Sequence, residues 1–426
     1  MHRLLTLAAM CVLACAGVSA QTPQATDLPG KPFFVKKTWM VGGEGNWDYL
    51  TVDPVALQLF IAHGPTVQVV DVSAGKVAGE VSGLHEAHEI ALDDNGQYGY
   101  VSDGPANEVV VFDRRTLEIV TSVPTGKNPR ALVFDPATRL VFVVCPATSE
   151  EAKTPRRTAS GTGAGNGTGL RNYGSGSQDP FVKSTVSIID ANTQKRLADL
   201  ILPGKLGFAQ TDGKGTVFVN ITDRNQIAYF HSQGLEERLR RPPAAARAEG
   251  SKAEIAVDPA LTIDWSDTAT EIQPISKSLH NFRLRTDCDT PKGLAVDSVN
   301  QRLFITCDNM TMQVLNATSG DWVTSLPIGA GNDAIGYDAG NGLIYAANGG
   351  GVGSLTVIRQ HLNDTYNVIQ EVPTRARART LAINPVSGEV YLVTNVTGLD
   401  LTHNGGLGGL KTAPVEGSFQ VLVIGN

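Results

Sequence analysis

Short apolar runs that end in an acidic or amide residue recur along the chain. In the first of them Leu50-Thr51-Val52 precedes Asp53. The seven runs end at Asp53, Asp93, Asp135, Asp212, Asp297, Asp338 and Asn384. Successive ends lie 40, 42, 77, 85, 41 and 46 residues apart. Removing polar or Gly-rich insertions of roughly 35 and 45 residues from the two long gaps restores a period of about 40, so the sequence predicts seven repeats.

Each repeat contains several short apolar segments separated by turn residues. In the second repeat, alternation and turn signals predict strands over 89–93, 98–102, 108–113 and 117–123. Four short antiparallel strands in about 40 residues are typical of a propeller blade. A parallel sheet with helical crossovers is disfavoured because no helical pattern of 10–15 residues lies between the strands. We therefore expect an all-β, seven-bladed β-propeller with four-stranded antiparallel blades.

The last repeat supplies only three strands, and the N-terminal part of the chain offers a fourth. Its three predicted strands cover 379–384, 389–394 and 418–424, whereas Phe34–Val41 is a predicted strand without a repeat of its own. Pairing this strand with the last blade would leave no open sheet edge between the termini. The sequence thus predicts a propeller over 33–426 that its N-terminal strand closes.

Three insertions interrupt the repeat pattern. Residues 148–182 and 396–417 each fall between the second and third strands of a blade, and residues 233–277 fall between the third and fourth strands of blade four. The Gly/Ser-rich composition within 148–182 is typical of a flap or linker, and a tolerated insertion without function is the alternative.

The first 20 residues have the pattern of a secretory signal peptide. Arg3 supplies a positive charge, an apolar stretch follows, and Val18-Ser19-Ala20 forms a small-residue cleavage site before a linker at 21–32. Lipidation at Cys15 is the alternative fate of this segment. No later run reaches the ~18 apolar residues of a membrane span. We expect a periplasmic or secreted protein.

Composition narrows the classes of partner. With 42% hydrophobic residues the chain has ample material for a core, and its net charge of −7 argues against a nucleic-acid partner. Binding of single-stranded nucleic acid through Arg130, Lys292 and Arg379 is a further hypothesis, which this net charge disfavours.

Counting along the repeats predicts which residues surround the central channel. Five residues before each end of a run stand Asp48, His88, Arg130, Gly207, Lys292, Asp333 and Arg379. Ten residues after it stand His63, Asp103, Cys145, Thr222, Cys307, Asn348 and Thr394. Both sets should lie on one face. The simplest interpretation is that these polar side chains satisfy one another and water at the strand ends.

Two functional hypotheses use the same face. In one, Arg130, Lys292 and Arg379, with Asp333 nearby, form a cationic ring that captures a small anion such as a carboxylate or phosphate. An organic ligand would then be covered by Trp47, Tyr49 and Phe208. In the other, Asp48, His63, His88 and Asp103 hold one divalent metal ion or form an acid–base cluster.

The cysteines divide into a predicted pair and a single thiol. Cys288 precedes the innermost strand of blade five, and Cys307 ends the neighbouring strand on the same rim, so we expect a disulfide between them. Cys145 lacks such a partner and is expected to be free.

The repeat resembles the YVTN family of propellers, and the chain is similar to its YncE-like extracytoplasmic members. The resemblance rests on Tyr391-Leu392-Val393-Thr394-Asn395, on Tyr100-Val101-Ser102-Asp103 and on the connecting phrase Thr290–Asp297. It implies an exported seven-bladed propeller that binds a ligand or a protein, with no catalytic residues to transfer, and the polar positions counted above lead us to expect binding through the channel face. Propeller lactonases and lyases, which resemble this chain in architecture, supply the alternative of a metal-dependent hydrolase or lyase.

Overall fold

The blades are built from short strands, of which the middle ones are mostly apolar and the outer ones carry more polar residues. The computed structural model describes residues 31–43, 45–147, 182–239, 262–264, 279–399 and 412–426. The compact unit spans Phe33–Asn426. The predicted signal peptide, Cys15 and most of the predicted linker lie outside the described residues, as does most of each insertion.

The first strand, β1 (Phe34–Met40), belongs to the last blade, and the next four blades follow in chain order. Blade one contains β2 (Trp47–Asp53), β3 (Gln58–His63), β4 (Thr66–Asp71) and β5 (Lys76–Ser82). Blade two contains β6 (Ala87–Leu92), β7 (Tyr98–Asp103), β8 (Glu108–Asp113) and β9 (Ile119–Pro124). Blade three contains β10 (Ala131–Asp135), β11 (Leu140–Cys145), β12 (Lys183–Asp190) and β13 (Lys195–Pro203). Blade four contains β14 (Leu206–Thr211), β15 (Thr216–Ile221) and β16 (Gln226–His231), followed by the helix α1 (Ser232–Leu239).

Part of the insertion at 233–277 pairs with blade three, before the chain forms the last strand of blade four. Its strand β17 (Thr262–Asp264) pairs in parallel with β13, so blade three has five strands rather than the four predicted for every blade. The fourth strand of blade four is β18 (Leu279–Arg283). A strand from an insertion that covers the outer edge of a blade removes unpaired backbone groups from that edge.

The remaining blades complete the ring. Blade five contains β19 (Pro291–Asp297), β20 (Arg302–Cys307), β21 (Thr311–Asn316) and β22 (Trp322–Pro327). Blade six contains β23 (Asn332–Asp338), β24 (Leu343–Asn348), β25 (Ser354–Gln360), a short 3₁₀ turn (Leu362–Asp364) and β26 (Tyr366–Pro373). Blade seven contains β27 (Leu381–Ile383), β28 (Val390–Thr394), the added hairpin β29 (Thr397–Leu399) and β30 (Thr412–Pro414), and β31 (Gln420–Gly425).

The predicted closure of the ring is confirmed. Strand β1 pairs antiparallel with β31, and the resulting sheet order is β1-β31-β28-β27. Innermost strand β27 contacts β23 of blade six on one side and β2 of blade one on the other. The seven-bladed, antiparallel, all-β architecture therefore follows the sequence prediction, with one eight-residue helix added.

The core consists of seven apolar clusters, one at each contact between neighbouring blades. Alternation along the strands explains this arrangement, since successive side chains point to opposite faces of a sheet. In β11, Phe142 packs toward blade four, whereas Val141 and Val143 pack toward blade two. Both faces of the middle strands are thus buried, and most of their residues are apolar.

The acidic residues that define the repeat lie where the innermost strands end, and they connect neighbouring blades. One carboxylate oxygen of Asp53 accepts hydrogen bonds from the backbone N–H groups of Val55 and Ala56, at 2.9 and 3.0 Å. Asp53 also forms an ion pair with Arg114 of blade two. The carboxylate of Asp53 therefore fixes both the turn and the contact with the neighbouring blade. None of the helices in the described segments has the length and apolarity needed to cross a membrane.

Candidate functional site

A cavity of about 540 Å³ lies at the channel face where the innermost strands begin. Six of the seven residues predicted five positions before the ends of the runs line it. They are Asp48, Arg130, Gly207, Lys292, Asp333 and Arg379. Thr222, from the second predicted set, also lines this cavity. Its volume is in the range that accommodates small ligands.

One side of the cavity carries three cations from consecutive blades. Arg130 of blade three and Lys205 of blade four are exposed, and neither has an ion-pair partner among the residues that the structure describes. The ammonium of Lys292 in blade five lies 3.8 Å from the Asp308 carboxylate. The counting rule missed Lys205, because in blade four it selected Gly207. The one signal for Lys205 was its place immediately before the strand that begins at Leu206.

The opposite side carries carboxylates that are partly satisfied by other side chains. Asp333 accepts a hydrogen bond from Arg379 Nε at 2.9 Å, and Asp48 Oδ2 lies 2.9 Å from His88 Nδ1. Burial raises the pKa of Asp333, and the neighbouring charge of Arg379 opposes that rise. Arg379 is therefore a cation that is already neutralised, in contrast to Arg130.

A buried glutamate lies close to this acidic side. Glu89 is 8% exposed, and its Oε2 accepts a hydrogen bond from the Leu132 backbone N–H at 3.3 Å. Burial raises the pKa of Glu89 well above its ordinary value, and the negative charges of Asp48 and Asp333 raise it further. Counting along the repeats did not select Glu89, because it lies one residue after the channel position of His88.

Two aromatic rings meet across the channel. Tyr49 of blade one and Phe208 of blade four line the cavity with ring centroids 5.0 Å apart, and the Tyr49 hydroxyl donates to the Asp333 backbone carbonyl at 3.3 Å. Contact between non-neighbouring blades narrows the channel at this level. Trp47 does not take part, which corrects the expectation that it covers a ligand. Its buried ring packs on Phe419, with centroids 5.4 Å apart.

The four predicted metal ligands do not form one cluster. His63 is buried against the ring of Phe419 at 3.9 Å between centroids, and burial lowers the pKa of its imidazole. His88 is bound to Asp48, whereas Asp103 accepts hydrogen bonds from the His85 and Glu86 backbone N–H groups. Within the described part of the chain, no three His, Cys, Asp or Glu side chains are grouped to hold a metal. The structure thus corrects the expectation of a four-ligand site, because Asp48 and His88 bind each other, whereas His63 and Asp103 have other partners.

The prediction for the cysteines agrees with the structure. Cys288 and Cys307 form a disulfide with a Cα–Cα distance of 5.3 Å. Cys145 is free and buried, and burial raises the pKa of its thiol to about 12. A thiol that stays protonated at neutral pH is a poor nucleophile, so Cys145 is a packing residue.

Comparisons with known proteins agree on the fold. The family model described as "Lactonase, 7-bladed beta-propeller" matches residues 62–162. No curated protein sequence matches the chain. Among solved structures, the WD40 repeats of RRP9 align with a TM-score of 0.58 at 8% identity, covering 90% of this chain and 96% of that one.

Two further structures are similar to the same extent. U3-55K aligns with a TM-score of 0.57 at 8% identity, covering 90% of this chain and 97% of its own. A chain of a mitotic checkpoint complex aligns with a TM-score of 0.57 at 10% identity, covering 90% and 95%. At such low identity these likenesses concern architecture alone. The chain is a seven-bladed β-propeller.

Proposed function

We propose that the protein is a binding module that holds a small anionic ligand in the central cavity. The observation that supports this most directly is a pair of exposed cations beside Lys292, namely Arg130 and Lys205, for which the described parts of the chain supply no ion-pair partner. A guanidinium and two ammonium groups that converge on one cavity suit a carboxylate or a phosphate. A protein partner that presents an acidic side chain to this face would use the same groups.

The cavity also offers apolar contact to an organic ligand. Tyr49 and Phe208 present ring surface between the charged groups. Ligand sites commonly combine such surface with a few polar groups that fix orientation. A carboxylate attached to a short carbon chain fits this combination better than inorganic phosphate alone.

The proposal includes a location outside the cytoplasm, as expected of a YncE-like protein. The signal-peptide pattern in residues 1–20 supports export, and a disulfide such as Cys288–Cys307 persists in oxidising compartments. The same preparation used for binding would reveal a mature N-terminus at Gln21 by mass spectrometry if the predicted cleavage takes place.

A lactone hydrolase is the second candidate, and the family match over 62–162 is the observation that favours it. The matched segment contains Arg130 and His88 but not Asp48 or Asp333. Turnover of a panel of γ- and δ-lactones, lost in Asp48→Asn, would support catalysis in this cavity. Binding without turnover would support the binding module.

The binding function is tested with glutarate and inorganic phosphate by isothermal titration calorimetry. In the double variant Arg130→Gln/Lys205→Gln, we expect affinity for glutarate to fall by about tenfold or more, since a hydrogen bond to a charged group contributes ~1.5–3 kcal/mol. The matched control is Lys76→Gln/Arg115→Gln, which removes two exposed cations outside the cavity lining. No binding of either probe, or equal affinity in all three proteins, would refute the proposal.

A further inference from the structure

The charges around the cavity are separated into two halves. Consecutive blades three, four and five contribute Arg130, Lys205 and Lys292. Blades six, seven and one contribute Asp333, Arg379 and Asp48, and there Arg379 is hydrogen-bonded to Asp333. Because the blades follow chain order around the ring, one half of the cavity is cationic and the other has an excess of carboxylate.

The carboxylate of Asp48 is held in place and faces the cavity. Its Oδ2 lies 2.9 Å from Nδ1 of His88, a side chain that is 3% exposed. The Asp48 backbone carbonyl accepts a hydrogen bond from the Thr380 hydroxyl at 2.8 Å. The Asp48 side chain is 18% exposed, and its Oδ1 has no hydrogen-bond donor among the described residues. An oriented acceptor with a free oxygen is suited to a donor from a ligand.

The acidic half has more negative charge than its own cation balances. The carboxylates of Asp48 and Asp333 are close enough to repel one another electrostatically, and Arg379 is the cation of this half that opposes the repulsion at Asp333, with a smaller contribution from Lys292. A further positive group beside Asp48 would lower the repulsion. Arg130 and Lys205, from blades three and four, belong to the other half of the cavity and favour negative charge there, whereas Lys292 lies between the halves and also acts on Asp333.

We propose that the ligand is dipolar, an amino-carboxylate whose ammonium group binds Asp48 and whose carboxylate binds Arg130, Lys205 and Lys292. Its carbon chain would lie over Tyr49 and Phe208. The inference rests on the proposed anion-binding function and adds the chemical class of the ligand. Free amino acids with a terminal amine and the ends of short peptides have this chemistry.

Three probes with five-carbon chains test the class without any substitution. They are 5-aminovalerate, 5-hydroxyvalerate and glutarate, which place an ammonium, a hydroxyl or a second carboxylate opposite the common carboxylate. We expect calorimetry to give 5-aminovalerate an affinity about tenfold higher than that of 5-hydroxyvalerate, with glutarate weakest, because a charge-assisted hydrogen bond is roughly twice as strong as a neutral one.

A single substitution then identifies the group responsible for the preference. Asp48→Asn should weaken 5-aminovalerate by about tenfold and strengthen glutarate, since it removes a negative charge beside the second carboxylate. The matched control Asp321→Asn removes an exposed carboxylate outside the cavity lining and should change neither affinity.

The outcomes separate the two proposals. If glutarate binds as tightly as 5-aminovalerate and is lost in Arg130→Gln/Lys205→Gln, the cavity binds anions and the dipolar ligand is refuted. If 5-hydroxyvalerate equals 5-aminovalerate, the ammonium contact is refuted in the same way. If none of the probes binds, both proposals fail.

Discussion

Glu89 has an environment that favours the protonated form of its carboxyl group. It is buried at the start of blade two, and among the described residues its carboxyl group accepts one hydrogen bond, from the Leu132 backbone N–H. Burial disfavours the ionised form, and the charges of Asp48 and Asp333 act in the same direction. The native state thus binds a proton at Glu89 more tightly than the unfolded chain does.

Because of this environment, we expect Glu89→Gln to raise the free energy of unfolding by an amount that depends on pH. Where the native pKa is the higher one, the wild-type free energy of unfolding decreases as pH rises from the unfolded value, about 4.3, through the raised native value. The variant lacks this titration, so its advantage should be absent below about pH 4 and largest at pH 8. Each unit by which the native pKa of Glu89 is raised corresponds to about 1.4 kcal/mol of the free energy of unfolding.

Urea denaturation of both proteins between pH 4 and pH 8 measures the effect. Glu118→Gln, at an exposed position whose backbone is in the turn after β8, is the matched control and should follow the wild type throughout. A difference between Glu89→Gln and wild type that does not change with pH would show that Glu89 is not protonated preferentially in the native state.

At the scale of the element, a bulge decides which residues reach the cavity. The pairing of β2 with β3 shifts between Trp47 and Leu50. Similar shifts occur at the start of the innermost strands of blades two, four, five and six. A bulge interrupts the alternation of side chains, so adjacent Asp48 and Tyr49 both line the cavity, whereas Trp47 turns into the contact between blades.

These bulges explain how far the sequence could predict the site. The repeat fixes the length and order of the strands, so counting found the channel positions of Asp48, Arg130 and Asp333. Counting could not predict the directions of the side chains near a bulge, because no residue type in these strands marks the position of the bulge. The same counting therefore grouped His63 with Asp48, although His63 packs on Phe419.

The disulfide of blade five stabilises one element and gives a prediction at that scale. It joins the loop before β19 to the end of β20 across 19 residues of chain. Because a crosslink of this length restricts the unfolded chain, Cys288→Ala/Cys307→Ala should lower the free energy of unfolding by about 2–4 kcal/mol. Urea denaturation with and without dithiothreitol measures it.

The reductant supplies the control for that measurement. Dithiothreitol should destabilise the wild type to the level of the double variant and leave the variant unchanged, since Cys145 is already a free thiol. Equal stability of oxidised wild type and variant would contradict a stabilising role for the crosslink.

For the whole molecule, the critical feature is the closure of the ring by β1. Each of the seven apolar clusters joins two blades, so opening one contact would expose two apolar faces. The strand β1 strengthens the contact between blades seven and one. Trp39 in this strand is 9% exposed, and its ring centroid lies 5.6 Å from that of Tyr391. Its indole also covers Gly75 of blade one so closely that a Cβ there would clash with the ring.

Trp39→Ala should therefore weaken the molecule as a whole. Truncation of a buried tryptophan leaves a cavity at the closure and should cost about 3–5 kcal/mol of the free energy of unfolding. Phe34→Ala, in the same strand but at a position that is 53% exposed, is the matched control and should change that free energy by about 0.5 kcal/mol or less. Urea denaturation compares the two variants with wild type.

Hydrogen exchange would show whether the loss of stability in Trp39→Ala begins at the contact between blades seven and one. The amides of β31, which pair with β1, should lose protection in Trp39→Ala before those of β20 in blade five, since an opening between blades seven and one exposes β31 first. Equal loss of protection in β31 and β20 would mean that the ring unfolds only globally. Equal destabilisation by Phe34→Ala would mean that pairing of β1, rather than the packing of Trp39 between the two blades, closes the propeller.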